Sequence, residues 1–152
     1  MKITKFLSPS QIEMELKAPD KQAVIEALVN ILVSVGRIPK DKVEEVITAL
    51  IAREGLTSTG LGYGIALPHV KTDVVTEICI AFGRSTKGID FEALDGNPVH
   101  FFFLILAPPK KTEEYLKTLS SISALMKDEK TRSRLFAAQS VDEVFNILDQ
   151  PL

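Results

Sequence analysis

The segment Val99–Leu106 constrains the fold of this 152-residue chain more than any other part of it. Its sequence, Val-His-Phe-Phe-Phe-Leu-Ile-Leu, is almost continuously apolar, and Pro108 and Pro109 follow shortly after it. Proline is not tolerated inside a central strand, so the strand is predicted to end there. Near-continuous apolarity is typical of a strand that is buried on both faces of its sheet. The segment therefore predicts a central strand with a layer of helices on each side.

Two amphipathic helices are predicted before this strand. The first follows Asp20, a favourable N-cap residue, carries apolar residues at helical spacing up to Val35, and stops at Gly36. The second begins near Pro39 and places Arg53 at its C-terminal end. The predicted buried stripe of this second helix consists of Val43, Val46, Ile47, Leu50 and Ile51.

Two further strands are predicted from shorter patterns. Apolar and polar residues alternate over residues 12–16, which indicates a short half-buried strand. Residues 78–82 form a fully apolar run, which is a second candidate. The following stretch, residues 83–98, is rich in turn-forming residues and is predicted to be a loop.

Two helices are predicted after the central strand. Thr112 is expected to cap the first of them, and a capping box from Ser140 to Glu143 predicts a last helix that ends near Leu148. Strands that alternate with helices predict the α/β class, with helices on both faces of the central sheet. We expect residues 1–152 to form a single domain with three layers.

Composition argues against several classes of function. The formal net charge is -2 and no basic run stands out, so nucleic-acid binding is not expected. The longest apolar run is far shorter than the roughly 20 residues that a membrane helix needs, so no membrane insertion is expected. Cys79 is the single cysteine and the N-terminus lacks a signal-peptide core, which favours a cytoplasmic protein. The two histidines and this cysteine lack metal-ligand spacing, so neither a metal nor a cofactor is expected.

The stretch from Arg53 to His69 carries the candidate chemistry. It reads Arg-Glu-Gly-Leu-Thr-Ser-Thr-Gly-Leu-Gly-Tyr-Gly-Ile-Ala-Leu-Pro-His. Backbone N–H groups in a glycine-rich bend can form a concave anion site, and the hydroxyls of Ser58 and Thr59 stand beside Gly60. Arg53 offers a permanently charged planar group to phosphate oxygens, and the proline before His69 gives it a stiff stem. An anion site, a cation and a fixed imidazole together predict a histidine that carries a phosphoryl group.

Other known motifs fit this stretch less well. The glycines within residues 60–64 do not complete the dinucleotide fingerprint, and they follow a helical stretch rather than a strand. The Gly-Lys-Ser/Thr of a Walker motif is missing from the sequence. A hydrolase built from Ser58, His69 and Asp73 would lack a nucleophile elbow.

Gly-Tyr-Gly-Ile-Ala-Leu-Pro-His, preceded by Arg-Glu and Ser-Thr-Gly, resembles the active-site segment of a known bacterial family. That family is the fructose/mannitol-type enzyme IIA domain of the phosphoenolpyruvate-dependent phosphotransferase system. In length the chain is most similar to the stand-alone, nitrogen-regulatory branch. The resemblance implies a mixed central sheet and a phosphohistidine at His69, formed on Nε2 with a phosphoryl group from an HPr-like phosphocarrier. It also implies a catalytic role for Arg53 and phosphate-binding roles for Ser58, Thr59 and Gly60.

The family typically has a second histidine, which opens a helix in a pattern like His-Leu-x-x-Leu-Ser. The matching text in this chain is Tyr115-Leu-Lys-Thr-Leu-Ser120, so a tyrosine occupies that position. The resemblance therefore implies that Tyr115 lies beside His69 and contacts the phosphate. His100 lies in the apolar strand instead, and we predict that it is a structural residue with a satisfied hydrogen bond.

Several partners and roles stay open on the sequence alone. Docking of a small carrier predicts an apolar rim around the site, for which the candidates are Leu61, Tyr63, Leu67 and Val70. The length favours a regulatory phosphocarrier that acts on protein targets. A sugar-transport component that passes phosphate to a separate IIB subunit is the first alternative. A non-catalytic binding module with the same fold is the second, which Tyr115 favours and the intact Arg53 and His69 oppose.

Overall fold

The predicted apolar strand is the centre of a mixed sheet. A computed structural model describes residues 1–151 of the chain. Its strands are β1 (Ile12–Glu13), β2 (Gly60–Gly62), β3 (Ile65–Ala66), β4 (His69–Lys71), β5 (Cys79–Ile89) and β6 (Val99–Ala107). The order across the sheet is β1-β5-β6-β3-β2, and β4 pairs with β6 as well. β5 is antiparallel to β6, whereas β3 and β4 run parallel to it, so the mixed sheet that the family resemblance implies is confirmed.

The two faces of β6 explain why its sequence is apolar throughout. Alternate side chains enter two separate cores: Phe101, Phe103 and Ile105 enter one, and Phe102, Leu104 and Leu106 enter the other. Each of these side chains is at most 3% exposed. Successive residues of a strand point to opposite faces, so both faces of the sheet need a cover.

Helices provide this cover on both sides. Within the described residues they are α1 (Lys21–Ser34), α2 (Val43–Glu54), α3 (Thr112–Lys127), α4 (Glu129–Ala137) and α5 (Val141–Leu148). α1 and α2 pack on the core that contains Phe102, and α3, α4 and α5 pack on the core that contains Phe103. The predicted three-layer α/β architecture is confirmed. No helix within residues 1–151 has the length and apolarity that crossing a bilayer requires.

The helix caps match the sequence at two of three places. The Asp20 carboxylate accepts a hydrogen bond from the Ala23 amide at 2.9 Å, and the Ser140 hydroxyl accepts one from the Glu143 amide at 3.1 Å. The expectation for Thr112 is wrong. A short 3₁₀ turn precedes α3, and the Thr112 hydroxyl donates to the Pro109 carbonyl at 3.0 Å instead of capping an amide.

The loop predicted for residues 83–98 is wrong over its first half, because β5 continues to Ile89. Pairing with β6 reaches Ile89, which lies opposite Val99, and Arg84 opens this extension from a buried position. Its side chain is only 7% exposed, and its guanidinium donates to the backbone carbonyls of Met14 and Ala138 at 3.0 and 2.6 Å. A charged group with these partners can be buried in a strand, although its sequence context favours a turn.

Three smaller expectations also differ from the structure. The strand expected over residues 12–16 is limited to β1. Ile51, placed on the buried stripe of α2, is 36% exposed. α4 was not expected at all, because it is strongly polar and buries only Thr131 and Leu135.

Candidate functional site

Strand pairing fixes the backbone of His69. β3 ends just before Leu67 and β4 begins just after Pro68, and both strands pair with β6. The Pro68 carbonyl accepts a hydrogen bond from the Ile105 amide at 2.9 Å, so the interruption is itself tied to the central strand. His69 therefore stands on the sheet rather than on a loose loop, which agrees with the stiff stem predicted from the proline.

The ring of His69 is held in one tautomer. Its Nδ1 lies 2.5 Å from the carbonyl oxygen of Leu67. A carbonyl oxygen can only accept a hydrogen bond, so Nδ1 carries the proton and donates it. The lone pair of the neutral ring is then on Nε2. The geometry supports Nε2 as the reactive nitrogen.

The surroundings keep His69 uncharged near neutral pH. Burial lowers the pKa of His69 below its ordinary value, and the positive charge of Arg53 lowers it further. The hydrogen bond to Leu67 and the negative charge of Glu54 act in the opposite direction and offset only part of the shift. A neutral imidazole is the form that a nucleophilic nitrogen requires.

Arg53 lies at the end of α2, as predicted, and closes the loop that follows. Its Nη1 donates to the Thr57 carbonyl at 3.1 Å, and its side chain is partly exposed. The helix dipole favours a cation at this end of α2. The helix end is thus a favourable position for Arg53. The bond to Thr57 uses one of its five N–H donors, and the others can bind a ligand.

The three predicted phosphate-binding loop residues differ in what they can offer. The Ser58 hydroxyl accepts a hydrogen bond from the Gly60 amide at 3.0 Å and keeps its own hydrogen for another acceptor. Thr59 is 3% exposed, its amide donates to the Glu54 carboxylate at 3.2 and 3.3 Å, and its hydroxyl also donates to Glu54. A Cβ at Gly60 would lie 2.7 Å from the Cβ of Ala93, so only glycine fits there.

A small cavity is lined by four of the predicted residues but by neither Gly60 nor Tyr115. Its volume is about 230 Å³. Its polar wall includes Arg53, Ser58, Thr59, His69 and Ser123, and its apolar wall includes Leu61, Leu67, Leu94 and Leu119. A guanidinium, hydroxyls and an imidazole around a small cavity form a suitable place for a tetrahedral anion.

Tyr115 lies next to His69, where the family resemblance places it. The two ring centroids are 5.8 Å apart and the ring planes are tilted by 58°. Burial raises the pKa of Tyr115 to about 12, while the charge of Arg53 opposes this shift. Tyr115 is therefore a neutral neighbour of the imidazole, and it can donate a hydrogen bond but adds no charge.

The predicted apolar rim is only partly supported. Leu61 is 52% exposed beside the cavity, whereas Leu67 is 3% exposed and cannot form a docking surface. Tyr63 is exposed but points elsewhere, and its ring lies 4.9 Å from the guanidinium carbon of Arg132. Leu94 is 66% exposed and lines the cavity, although no sequence pattern predicted it.

His100 has the structural role that was predicted for it. Its Nδ1 lies 2.8 Å from the Ser85 carbonyl, and its ring packs edge-on against Phe136 with centroids 5.5 Å apart. His100 does not line the cavity that contains His69. The strand histidine and the candidate reactive histidine are thus separate.

Comparison with known proteins identifies the family. The sequence model described as "Phosphoenolpyruvate-dependent sugar phosphotransferase system, EIIA 2" matches residues 5–150. The chain belongs to this EIIA family. The resemblance seen in the sequence from Arg53 to His69 is confirmed at the level of the whole chain.

Relatives of this EIIA protein come from both the sugar and the regulatory branches. The fructose-specific EIIABC component of Bacillus subtilis is 38% identical over 99% of this chain, which spans 23% of that longer protein. The fructose-specific EIIA component of Haloferax volcanii is 39% identical over 90% of this chain and 88% of its own length. A nitrogen regulatory protein of Bradyrhizobium diazoefficiens is 32% identical over 99% of this chain and 97% of its own length.

Solved structures show the same EIIA fold. Nitrogen regulatory protein IIA-Ntr from Neisseria meningitidis matches with a TM-score of 0.87 and 32% identity, over 96% of this chain and 98% of its own. Enzyme IIA for mannitol from Escherichia coli, solved in complex with its phosphorylated enzyme IIB, matches with a TM-score of 0.77 and 27% identity. That match covers 93% of this chain and 96% of the other.

One charged residue next to the candidate site, Glu54, was not predicted from the sequence. Glu54 is 5% exposed, and its carboxylate holds Thr59 and the Lys21 ammonium. A signal was present, because a carboxylate at the C-terminal end of a helix opposes the helix dipole. The helix dipole favours the cation Arg53 at this end of α2 and disfavours the anion Glu54, so the dipole marks Glu54 as an unusual residue.

Proposed function

We propose that this EIIA protein is a phosphoryl carrier in which Nε2 of His69 accepts a phosphoryl group from the phosphohistidine of an HPr-like phosphocarrier. One observation carries the proposal. The contact between Nδ1 and the Leu67 carbonyl leaves the lone pair on Nε2, in a ring that lines the same small cavity as Arg53 and Ser58.

The proposed transfer balances without an added acid or base. The Nε2 lone pair of His69 forms the new N–P bond while the N–P bond of the carrier's phosphohistidine breaks. The carrier's imidazole leaves with the electron pair of that bond and becomes neutral. His69 keeps its Nδ1 proton, so the phosphorylated ring becomes cationic, and the Leu67 carbonyl stabilises that charge.

The residues around His69 act on the phosphoryl oxygens. Such transfers depend mainly on positioning and on stabilising the charge of the equatorial oxygens. Arg53 supplies the permanent positive charge, and Ser58 supplies a hydroxyl hydrogen. We assign a further hydrogen bond to Tyr115, whose ring centroid lies 5.8 Å from that of His69. The amides of Thr59 and Gly60 already donate to Glu54 and Ser58. We therefore assign these two residues the role of shaping the loop and not of contacting the phosphate.

The carrier is proposed to dock on the apolar rim of the cavity. Leu61 and Leu94 are 52% and 66% exposed there, and Leu119 is partly buried beside them. Transient complexes of this kind use small interfaces, at or below roughly 1,200 Å² in total. A compact apolar rim around the histidine is sufficient for such an encounter.

The onward step has two candidate forms. A regulatory phosphocarrier would keep its phosphoryl group as a signal for protein targets, and relatives named as nitrogen regulatory proteins favour this form. A sugar-transport component would pass it to a separate IIB subunit. The fructose-specific relative from Haloferax volcanii and the mannitol enzyme solved with phosphorylated IIB favour that form.

One experiment separates these forms. The protein is incubated with phosphoenolpyruvate, enzyme I and an HPr-type carrier, and its intact mass is measured before and after a fructose-type IIB subunit is added. We expect a gain of one phosphoryl group. Rapid loss to IIB would assign the sugar-transport role, and retention would assign the regulatory role. A folded protein that gains no mass would be a non-catalytic binding module, and the proposal would fail.

A further inference from the structure

The ion pair between Lys21 and Glu54 lies just behind the loop of the site. The Lys21 Nζ is 3.2 Å from the Glu54 carboxylate, and the side chains are 19% and 3% exposed. Glu54 also receives the amide and the hydroxyl of Thr59. One buried carboxylate therefore joins the start of α1 to the loop between α2 and β2.

Both charges occupy unfavourable helix ends. Glu54 is the last residue of α2, at the negative end of its dipole, and Lys21 is the first residue of α1, at the positive end. Burial of an ion pair adds a desolvation cost, so such a pair is a weak source of stability. Neither charge stabilises the helix that carries it. Residues that break a local preference in this way, here the charge preference of a helix end, are typical of functional sites.

The contacts of Glu54 and Arg53 close the same loop at neighbouring points. Arg53 holds the Thr57 carbonyl and Glu54 holds the Thr59 amide, so Ser58 is fixed between them. The Gly60 amide then orients the Ser58 hydroxyl from the other side. The position of the Ser58 donor thus depends on a carboxylate that does not itself line the cavity of His69.

We infer that Glu54 is a positioning residue for phosphoryl transfer, and that Lys21 holds it in place. This inference rests on the proposed function of His69. Glu54 fixes the segment from Thr57 to Gly60 so that the Ser58 hydroxyl and the Arg53 guanidinium meet the phosphoryl oxygens without reorganisation. Misplacement of such groups by about 1 Å can cost on the order of 100-fold in rate.

The test compares Glu54→Gln with Glu92→Gln in single-turnover transfer from a phosphorylated HPr-type carrier. Glu92 is the matched control, because its carboxylate contacts the same Lys21 ammonium at 3.5 Å but is 76% exposed and holds no loop residue. We expect Glu54→Gln to slow transfer by roughly 10- to 100-fold at saturating carrier. The carrier concentration for half-maximal rate should not change, and Glu92→Gln should behave as wild type.

The rates are compared at pH 8, so that a change in the ionisation of His69 cannot explain a difference between the two proteins. The groups that act on the pKa of His69 are Arg53, Glu54 and the Leu67 carbonyl, and removal of the Glu54 charge lowers that pKa further. At pH 8 His69 is then neutral in both proteins, so a loss of rate there reports position. A rate for folded Glu54→Gln within twofold of wild type would overturn the inference while leaving the proposed function intact.

Amide hydrogen exchange gives a second reading that needs no phosphate. We expect the Thr59 amide to exchange faster in Glu54→Gln and in Lys21→Met than in wild type, with the core of β6 unchanged. Unchanged exchange at Thr59 would overturn the inference about Glu54, whatever the phosphate uptake of the wild-type protein. Failure of the wild-type protein to take up phosphate would count against the proposed function instead.

Discussion

The two histidines of this chain share one local arrangement and differ in nearly everything around it. The Nδ1 of His69 lies 2.5 Å from the Leu67 carbonyl, and the Nδ1 of His100 lies 2.8 Å from the Ser85 carbonyl. Both rings therefore present Nε2 as the unprotonated nitrogen when neutral. A fixed tautomer is common to the two positions and does not by itself make a phosphoryl acceptor.

The neighbours of the two rings make the difference. Each ring contacts an aromatic side chain, Tyr115 beside His69 and Phe136 beside His100. The ring of His69 shares a cavity with the guanidinium of Arg53, and His100 does not line that cavity. The tyrosine also carries a hydroxyl that the phenylalanine lacks.

Packing leaves no comparable room at His100. A Cβ at Gly88 would lie 2.9 Å from its Cε1, and a Cβ at Gly64 would lie 3.4 Å from its Cδ2. Both positions have positive φ, which glycine adopts without strain. The backbone thus fits closely around His100, whereas it opens into a cavity at His69.

The largest expected effect comes from removing each histidine in turn. His69→Ala should abolish phosphoryl uptake and leave the fold intact, because it removes the nucleophile and little core volume. His100→Gln should retain uptake with somewhat lower stability. Intact mass after incubation with the phosphorylated carrier measures the first effect, and thermal unfolding measures the second. A folded His100→Gln protein that takes no phosphate would reverse the assignment of the two rings.

Arg53→Ala should give the next largest effect. Loss of one preorganised charge contact costs about 2.7–4 kcal/mol of transition-state stabilisation, which corresponds to roughly 100- to 1,000-fold in rate. Arg132→Ala is the matched control, since that guanidinium stacks on Tyr63 outside the cavity. Single-turnover transfer rates should fall for the first variant and stay unchanged for the second. Equal rates in both would make Arg53 a helix-end cation only.

Substitution of Tyr115 should have a smaller effect. Tyr115→Phe should lose a modest factor in rate, because one neutral hydrogen bond contributes about 0.5–1.5 kcal/mol. Tyr115→His should keep activity and add a second ionisation near pH 6.5 to the rate profile. Phe136→Leu, beside His100, is the control and should change neither. Superimposed rate–pH curves for the Tyr115 variants and wild type would show that this ring does not act on the phosphate.

The smallest expected effect is on stability against pH. The folded-state pKa of His69 lies below its unfolded value of about 6.5, so the unfolded chain binds this proton more readily. His69 should therefore reduce stability as pH falls below about 6.5, and His69→Gln should remove that part of the loss. Urea unfolding at pH 7 and pH 5 compares the two proteins. An equal loss in both would place the acid sensitivity elsewhere.

Local sequence patterns predicted the parts of the fold that depend on neighbouring residues. The apolar run of β6 identified the central strand, and Asp20 and Ser140 marked two helix starts by cap chemistry. Arg84 shows where such reasoning stops. Its guanidinium is satisfied by the Ala138 carbonyl, which is 54 positions away, so no local pattern could indicate that β5 continues past Gly83.

The candidate site divides in the same way. Arg53 and His69 could be chosen from one contiguous motif, and Tyr115 from the matching helix pattern. Leu94 and Leu119 reach the cavity only because the fold brings distant segments together. The sequence marks Glu54 only as a carboxylate at an unfavourable helix end. Its buried contacts with Thr59 and Lys21 depend on a loop conformation that the sequence does not specify.

The most direct test of the account is the site of phosphorylation, determined atom by atom. After transfer from a phosphorylated HPr-type carrier, ¹⁵N and ³¹P NMR of the histidine rings identifies which nitrogen is bonded to phosphorus. We expect phosphorus on Nε2 of His69, a retained proton on Nδ1, and an adduct that is labile in acid and stable in base. Phosphorus on Nδ1 of His69, on His100 or on an oxygen would contradict it.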